Sequence, residues 1–125
     1  MIAEHNVTVM LPAKDTGRAR RWYQEKLGLK PEKTEDYGAN YTLKGGTPMF
    51  LYESQFAGTA GHTLLSFDTD DLAGDMKSLR DKGVKFEDYD LPDLKTENGV
   101  ATFGDVKNAW FRYSEGNIIG LVQGM

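Results

Sequence analysis

The chain carries one order of secondary-structure signals twice. Near the N-terminus, an apolar strand is followed by an acidic helix cap at Asp15, an amphipathic helix and a glycine stop at Gly28. The second copy begins at His62 and repeats this order, with a cap at Asp70 and a stop at Gly83 after the same interval. Such a repeat predicts two similar units, because each half has an apolar face that needs burial. The functional surface is expected where the two copies meet.

Each copy reads as strand, helix and three further strands. Helical spacing of apolar residues predicts helices over 16–27 and 71–82. Alternation and turn residues predict strands at 6–11, 30–37, 41–44, 47–53, 62–68, 84–89, 109–113 and 118–123. The predicted fold is therefore α+β, with two βαβββ modules whose curved mixed sheets surround a cleft and whose helices lie outside. One domain spans 1–125, with module one at about 5–53, a linker at 54–61 and module two at about 62–123.

Composition excludes several classes of function. The net charge of −4 and a pI of about 5.1, with acids and bases interspersed, disfavour a nucleic-acid partner. The chain has no cysteine, which excludes disulfides and thiol chemistry. No apolar run is long enough to span a membrane, and the first residues do not resemble a signal peptide. We therefore expect a cytoplasmic protein with no membrane partner.

Three segments resemble a known superfamily. They are LPAKDTGRARRWYQEKLGLKP at 11–31, GHTLLSFDTDDL at 61–72 and AWFRYSEGNIIGLVQ at 109–123. The third is similar to the signature W-F-x-D-P-x-G-N-x-x-E-L, with Tyr113 and Ser114 in place of Asp-Pro. The resemblance is to the vicinal oxygen chelate superfamily, which includes glyoxalase I, bleomycin-resistance proteins, extradiol dioxygenases and fosfomycin-modifying enzymes. It implies the fold described above and, for a chain of this size, a homodimer.

The resemblance also implies four positions for metal ligands. Metal-dependent members place a His, Glu or Gln on the first and last strands of each half, and these positions hold Thr8, Phe50, His62 and Gly120 here. Only His62 is a strong donor, and a divalent ion needs several donors at once. We therefore expect neither a family-type metal nor another cofactor. A metal-dependent glyoxalase- or dioxygenase-type enzyme with altered ligands is the alternative.

Strand parity predicts which side chains meet a ligand. One set is expected on the concave side: Thr8, Phe50, Tyr52, His62, Leu64 and Ile118. The other set is expected beneath the helices: Val7, Val9, Met49, Leu51, Leu65 and Leu121. His62 is predicted either as a general base or ligand contact, or as the remnant of an ancestral metal ligand. Gly120 marks either space opposite an aromatic ring or close backbone packing.

The C-terminal part of module two supplies the remaining candidates. Trp110 and Arg112 alternate away from Phe111 and are predicted to face the cleft, where Arg112 either clamps an anion or is simply solvated. The segment EDYDLPDLK, at 87–95, is either an acidic mouth or a solvated loop, and the irregular stretch 90–107 is expected to form a partial roof.

The predicted ligand is a small organic molecule, flat or aromatic, with one or two polar groups. The function that follows is a small-molecule-binding protein of this superfamily that lacks the family metal. It would sequester a drug or metabolite, or act as a metal-independent lyase or isomerase through His62. An interaction module without a ligand site is a third possibility.

Overall fold

A computed structural model describes residues 1–125 and divides them into two compact units. The first unit is Met1–Ala57 and the second is Gly58–Met125, so their boundary falls inside the predicted linker at 54–61. Both units combine one principal helix with a mixed four-stranded sheet, and neither sheet closes into a barrel. The α+β class is confirmed. No helix of the chain has the length and apolar composition needed to cross a membrane.

The first unit has five principal elements. They are β1 (Val9–Ala13), α1 (Thr16–Trp22, continued by a π-helical turn at Tyr23–Leu27), β2 (Lys33–Glu35), β3 (Gly38–Thr42) and β4 (Pro48–Glu53). The strand order is β1-β4-β3-β2, with β1 and β4 parallel and the other pairs antiparallel. The predicted helix at 16–27 is observed, since Asp15 Oδ1 accepts the Arg18 amide at 2.9 Å and Gly28 ends the helix in the left-handed conformation.

One face of the first sheet packs against α1. Leu11, Met49 and Leu51 are buried on this face, and the rings of Tyr23 and Tyr41 meet edge to face with centroids 6.3 Å apart. The Tyr41 hydroxyl is buried without a hydrogen-bond partner, and burial raises its pKa. We call the opposite face of each sheet, turned away from its helix, the open face.

The second unit repeats the topology of the first. It contains β5 (Thr63–Asp68), α2 (Leu72–Asp81), β6 (Asp90–Leu91), β7 (Leu94–Lys95), β8 (Ala101–Phe103), β9 (Val106–Arg112) and β10 (Ile118–Gln123). The order β5-β10-β9-β8, with β5 and β10 parallel, matches β1-β4-β3-β2. The structure therefore confirms the internal duplication. The helix predicted at 71–82 is α2, whose N-cap is Asp71 instead of Asp70.

The prediction for the middle of the second unit is wrong in two respects. Residues 84–89 do not form a strand and make only an isolated bridge between Phe86 and Phe111. The stretch predicted as irregular, 90–107, contains the β6–β7 hairpin, all of β8 and the start of β9. Residues within 90–107 form strand because they have a pairing partner: β9 extends back to Val106 and pairs there with β8. Alternation within a segment cannot show which strand lies beside it.

Among the strand starts that differ from the prediction, those of β1 and β5 affect residues with a predicted orientation. β1 begins at Val9, so Val7 precedes the strand and is 75% exposed instead of packing beneath α1. β5 begins at Thr63, so His62 lies outside it. Ile118 of β10 pairs with Thr63, but the next residue, Ile119, pairs with Leu65. Leu64 is thus left in a β-bulge. A bulge breaks the alternation on which the prediction for His62 and Leu64 depended.

A candidate ligand-binding face on the second sheet

The open face of the second sheet is defined by the register of β9 and β10. Trp110 lies opposite Gly120, and Arg112 lies opposite Ile118. The alternating residues Phe111 and Ile119 are fully buried on the other face, toward α2. The structure thus places Trp110, Arg112, Ile118 and Gly120 of the predicted ligand-binding set together on one face. On it, Trp110 is half-buried and Arg112 is exposed, while Ile118 and Gly120 are buried.

Tyr89 extends this face beyond the sheet. Its ring meets the Trp110 ring edge to face, with centroids 5.7 Å apart and planes at 71°. The backbone holds this geometry, because the Glu87 amide donates to the Trp110 carbonyl at 2.8 Å. Burial, reinforced by the negative charge of Glu87, raises the pKa of the Tyr89 hydroxyl. At neutral pH this aromatic pair therefore offers an apolar edge and a neutral phenol group that can donate a hydrogen bond.

Arg112 is held by two groups of its own unit. Its Nε forms an ion pair with Glu87, and its Nη1 donates to the Gly116 carbonyl at 2.6 Å. Both side chains remain partly exposed, so the ion pair is screened by water. Arg112 is therefore an exposed polar residue beside the aromatic pair, and it already has an acidic partner. Its role as an anion clamp stays a prediction.

Gly120 allows close packing at the centre of this face. A Cβ atom built on Gly120 would lie 2.4 Å from Ser66 Oγ and 3.5 Å from Thr63 Cγ2. The place of the missing side chain is thus taken by the Ser66 hydroxyl and the Thr63 methyl group of β5. The part of Gly120 in ligand binding stays a prediction. Ser66 is exposed. Its hydroxyl is therefore an accessible hydrogen-bonding group in the strand next to the aromatic pair.

Three other predicted site residues lie outside the regular pairing of the strands. His62 is exposed, and its Nδ1 lies 3.1 Å from the carbonyl oxygen of the next residue, Thr63. Leu64 is half-buried in the bulge, and Thr8 is exposed and precedes β1. The catalytic role of His62 and the ligand contacts of Leu64 and Thr8 stay predictions.

The first unit has an aromatic open face of its own. Phe50 and Tyr52 lie opposite Met10 and Pro12 in the pairing of β4 with β1, and all four are at least partly exposed. Tyr37, 61% exposed, contacts the Phe50 ring with centroids 6.0 Å apart. The two predicted residues, Phe50 and Tyr52, therefore share one face. Their participation in ligand binding stays a prediction.

Glu87 and Tyr89 are the candidate residues that sequence reasoning did not select individually. The sequence indicates only an acidic segment at 87–95 that includes Tyr89, and it predicts no partner for that segment. The usable signal was Tyr89 itself, an aromatic residue within a run of acids.

Three of the four positions that the resemblance implies for metal ligands hold weak donors or none. Phe50 and Gly120 have no donor atom in their side chains, and Thr8 offers only a neutral hydroxyl. Ser66 and Thr63 crowd the space beside Gly120, where a ligand side chain would begin. The structure contains no group of three or more His, Cys, Asp or Glu side chains that could hold a metal ion. We therefore derive no chemistry through a metal.

Comparisons with known proteins identify the family. The sequence model of the Glyoxalase/Bleomycin resistance protein/Dioxygenase superfamily matches residues 6–112. The chain therefore belongs to this superfamily. No curated protein sequence matches it significantly.

Solved structures with the same fold cover nearly the whole chain. TnmS3, an antibiotic-binding protein from Streptomyces sp. CB03234, is 22% identical with a TM-score of 0.63, and the match covers 100% of this chain and 99% of that one. The fosfomycin resistance protein FosX from Listeria monocytogenes is 10% identical with a TM-score of 0.72, over 98% and 94%. A glyoxalase/bleomycin resistance protein from Catenulispora acidiphila DSM 44928 is 22% identical with a TM-score of 0.64, over 96% and 98%.

Proposed function

We propose that this protein binds a planar aromatic organic molecule without a metal ion and thereby sequesters it. The observation that carries this proposal is the Tyr89–Trp110 pair on the open face of the second sheet. A planar ligand gains most from the flat surface of an aromatic ring, by stacking and dispersion. The Tyr89 hydroxyl and the Ser66 hydroxyl would then recognise one or two polar groups on the ligand.

The charges around the pair favour a neutral or weakly charged ligand. Arg112 is already neutralised by Glu87 and bonded to the Gly116 carbonyl, so a strongly anionic ligand would have to displace both partners. A highly charged sugar phosphate is therefore a poor candidate. That one structural relative is described as an antibiotic-binding protein adds support for a ligand of drug-like chemistry.

Metal-independent binding follows from the donor chemistry. A family-type lyase or dioxygenase needs several ligands around one ion, and Phe50 and Gly120 supply none. No contact in the structure favours the metal-dependent alternative. A metal-independent lyase or isomerase that uses His62 stays a prediction.

The binding proposal is tested by tryptophan fluorescence. The chain has two tryptophans, so Trp22→Phe leaves Trp110 as the only indole reporter. We expect bleomycin or a planar anthraquinone to quench Trp110 saturably in a buffer that contains a metal chelator, whereas fosfomycin does not. By calorimetry in an otherwise unchanged chain, Trp110→Ala should weaken binding roughly thirtyfold, the usual effect of truncating an aromatic hot spot.

The matched control is Phe103→Ala. Phe103 is a 49% exposed aromatic residue at the β8–β9 turn, and it pairs with Val106 instead of the Trp110 region. Its removal should leave the affinity unchanged. Equal affinities of the Trp110→Ala and Phe103→Ala proteins, or the absence of binding by every planar probe, would reject the proposal.

We also propose a homodimer, as the family resemblance implies. Apolar side chains such as Ile2, Val7 and Phe56 are largely exposed in the single chain, and association would bury some of them. Sedimentation velocity at micromolar concentration is expected to show a dimer. A single monomeric species across the concentration range would contradict this expectation.

A further inference from the structure

Asn98–Gly99 is the only Asn-Gly step in the chain. Asparagine followed by glycine is chemically labile, because no side chain on the following residue hinders attack by its backbone nitrogen on the asparagine amide. The lability of this step therefore depends on what the folded structure does with the Gly99 nitrogen.

The turn itself requires this pair of residues. Glu97 and Val100 exchange backbone hydrogen bonds of 2.8 and 3.0 Å, while Asn98 and Gly99 have φ angles of 51° and 83°. A two-residue hairpin turn with both φ angles positive strongly prefers Asn-Gly. A Cβ on Gly99 would also lie 3.1 Å from Phe86 Cβ and 3.2 Å from Met76 Cε. Gly99 therefore cannot be exchanged without strain.

Asp88 engages the nitrogen that would have to react. The Gly99 amide donates to Asp88 Oδ1 at 2.9 Å, and the Thr96 hydroxyl donates to the same oxygen at 2.8 Å. On the other side, Arg80 Nη2 donates to the Asn98 carbonyl at 2.8 Å. The turn is thus held from both sides in a conformation in which the Gly99 amide donates to a carboxylate.

The Asn98 side chain itself is accessible to water. Asn98 is exposed and lines an open groove of about 760 Å³ between α2 and the segment that carries β7 and β8. Solvent can therefore reach both the amide group and any product formed there. Because burial does not shield Asn98 from water, its resistance to deamidation must come from the hydrogen bond of the Gly99 amide.

We propose that Asn98 is a latent deamidation site and that Asp88 holds it inactive. In the reaction, the Gly99 nitrogen loses its proton to water and attacks Asn98 Cγ. A C–N bond forms, the Cγ–Nδ2 bond breaks, and the leaving NH₂ group takes a proton from water and departs as ammonia. Water then opens the cyclic imide to aspartate or isoaspartate. Asp88 opposes the first step, because the N–H bound to its carboxylate must be released before the nitrogen can turn toward Cγ.

The product would disturb a segment that matters for the proposed binding face. Deamidation adds a negative charge close to Asp88, and isoaspartate adds a backbone carbon to the turn. Both changes weaken the bonds of Asp88 to Thr96 and Gly99. Thr96 in turn accepts the Tyr89 amide at 2.8 Å, so the change would loosen the base of the β6–β7 hairpin next to the aromatic pair.

The test is mass spectrometry of the aged protein. Trypsin releases residues 96–107, in which Asn98 is the only amide side chain, so the exchange of NH₂ for OH reports on this position alone. In mildly alkaline buffer, wild type should deamidate much more slowly than the free peptide 96–107. Asp88→Ala should deamidate roughly tenfold faster than wild type, the factor expected from losing one charge-assisted hydrogen bond.

The matched control is Asp93→Ala, which removes an exposed acid from the tip of the β6–β7 hairpin. This change should leave the deamidation rate at the wild-type value. Circular dichroism verifies that each variant is folded during ageing. If Asp88→Ala does not fold, Thr96→Val provides the second variant, because it removes the Thr96 bonds to Asp88 Oδ1 and to the Tyr89 amide. It should show the same acceleration in smaller degree. Wild type as fast as the free peptide, or a rate in the tested variant no higher than in Asp93→Ala, would overturn the proposal.

Discussion

Gly38→Ala is expected to destabilise the first unit by about 3 kcal/mol, at the upper end of what overpacking costs. A Cβ on Gly38 would lie 1.9 Å from the carbonyl oxygen of Leu51 and 3.1 Å from Phe50 Cζ. The obstacle is backbone, in the strand to which β3 is hydrogen-bonded, so no side-chain rotation relieves it. The β3–β4 ladder would have to separate locally and lose bonds between the two strands.

Urea denaturation followed by far-ultraviolet circular dichroism measures this loss. Gly61→Ala is the matched control, because nothing lies within 4 Å of a Cβ at that position and its φ angle is not positive. The control should match wild type or gain a few tenths of a kcal/mol from reduced freedom of the unfolded chain. The same midpoint for both variants would show that β3 does not approach β4 as described.

Asn117→Ala is expected to destabilise the second unit by about 3 kcal/mol, because a partly buried amide and a buried hydroxyl each lose one hydrogen bond and a cavity forms. Asn117 is 2% exposed. Its Oδ1 accepts the Gly58 amide at 2.9 Å, and its Nδ2 donates to the Tyr113 hydroxyl at 2.9 Å. The residue therefore ties the start of the unit to the β9–β10 turn, whose Gly116 carbonyl also holds Arg112.

This role is tested by thermal and urea unfolding of Asn117→Ala, with Asn108→Ala on β9 as the control. Asn108 is only half-buried, so its replacement should cost well under half as much. A double-mutant cycle with Tyr113→Phe isolates the side-chain bond, for which we expect a coupling of about 1 kcal/mol. Additive losses in that cycle, or equal losses for Asn117→Ala and Asn108→Ala, would contradict the assigned network.

Much of the fold could be predicted because the relevant signals are local and occur twice. Asp15 and Asp71 cap helices through their own side chains, and Gly28 and Gly83 end them in the left-handed conformation. The amphipathic pattern between cap and stop then selects the buried face of each helix. Two copies of one order predict two copies of one topology, which the strand orders of the sheets confirm.

The candidate site was only partly predictable, because contacts between distant segments decide it. Alternation in β9 and β10 correctly separates Trp110 and Gly120 from Phe111 and Ile119. No pattern within 84–89 could reveal that Glu87 pairs with Arg112 or that Tyr89 packs on Trp110. Both contacts depend on how this segment runs beside β9, which is a long-range choice between competing pairings.

By itself, the sequence determined the α+β class, the duplicated topology, both helices and the family, since caps, stops and periodicity act over a few residues. The absence of donor atoms at Phe50 and Gly120 is likewise a matter of residue identity. Only the tertiary structure decided the bulge at Leu64, the packing of Ser66 on Gly120 and the bond from Gly99 to Asp88. Each of these depends on the register between segments far apart in the chain, and that register is set by the packing of the whole unit.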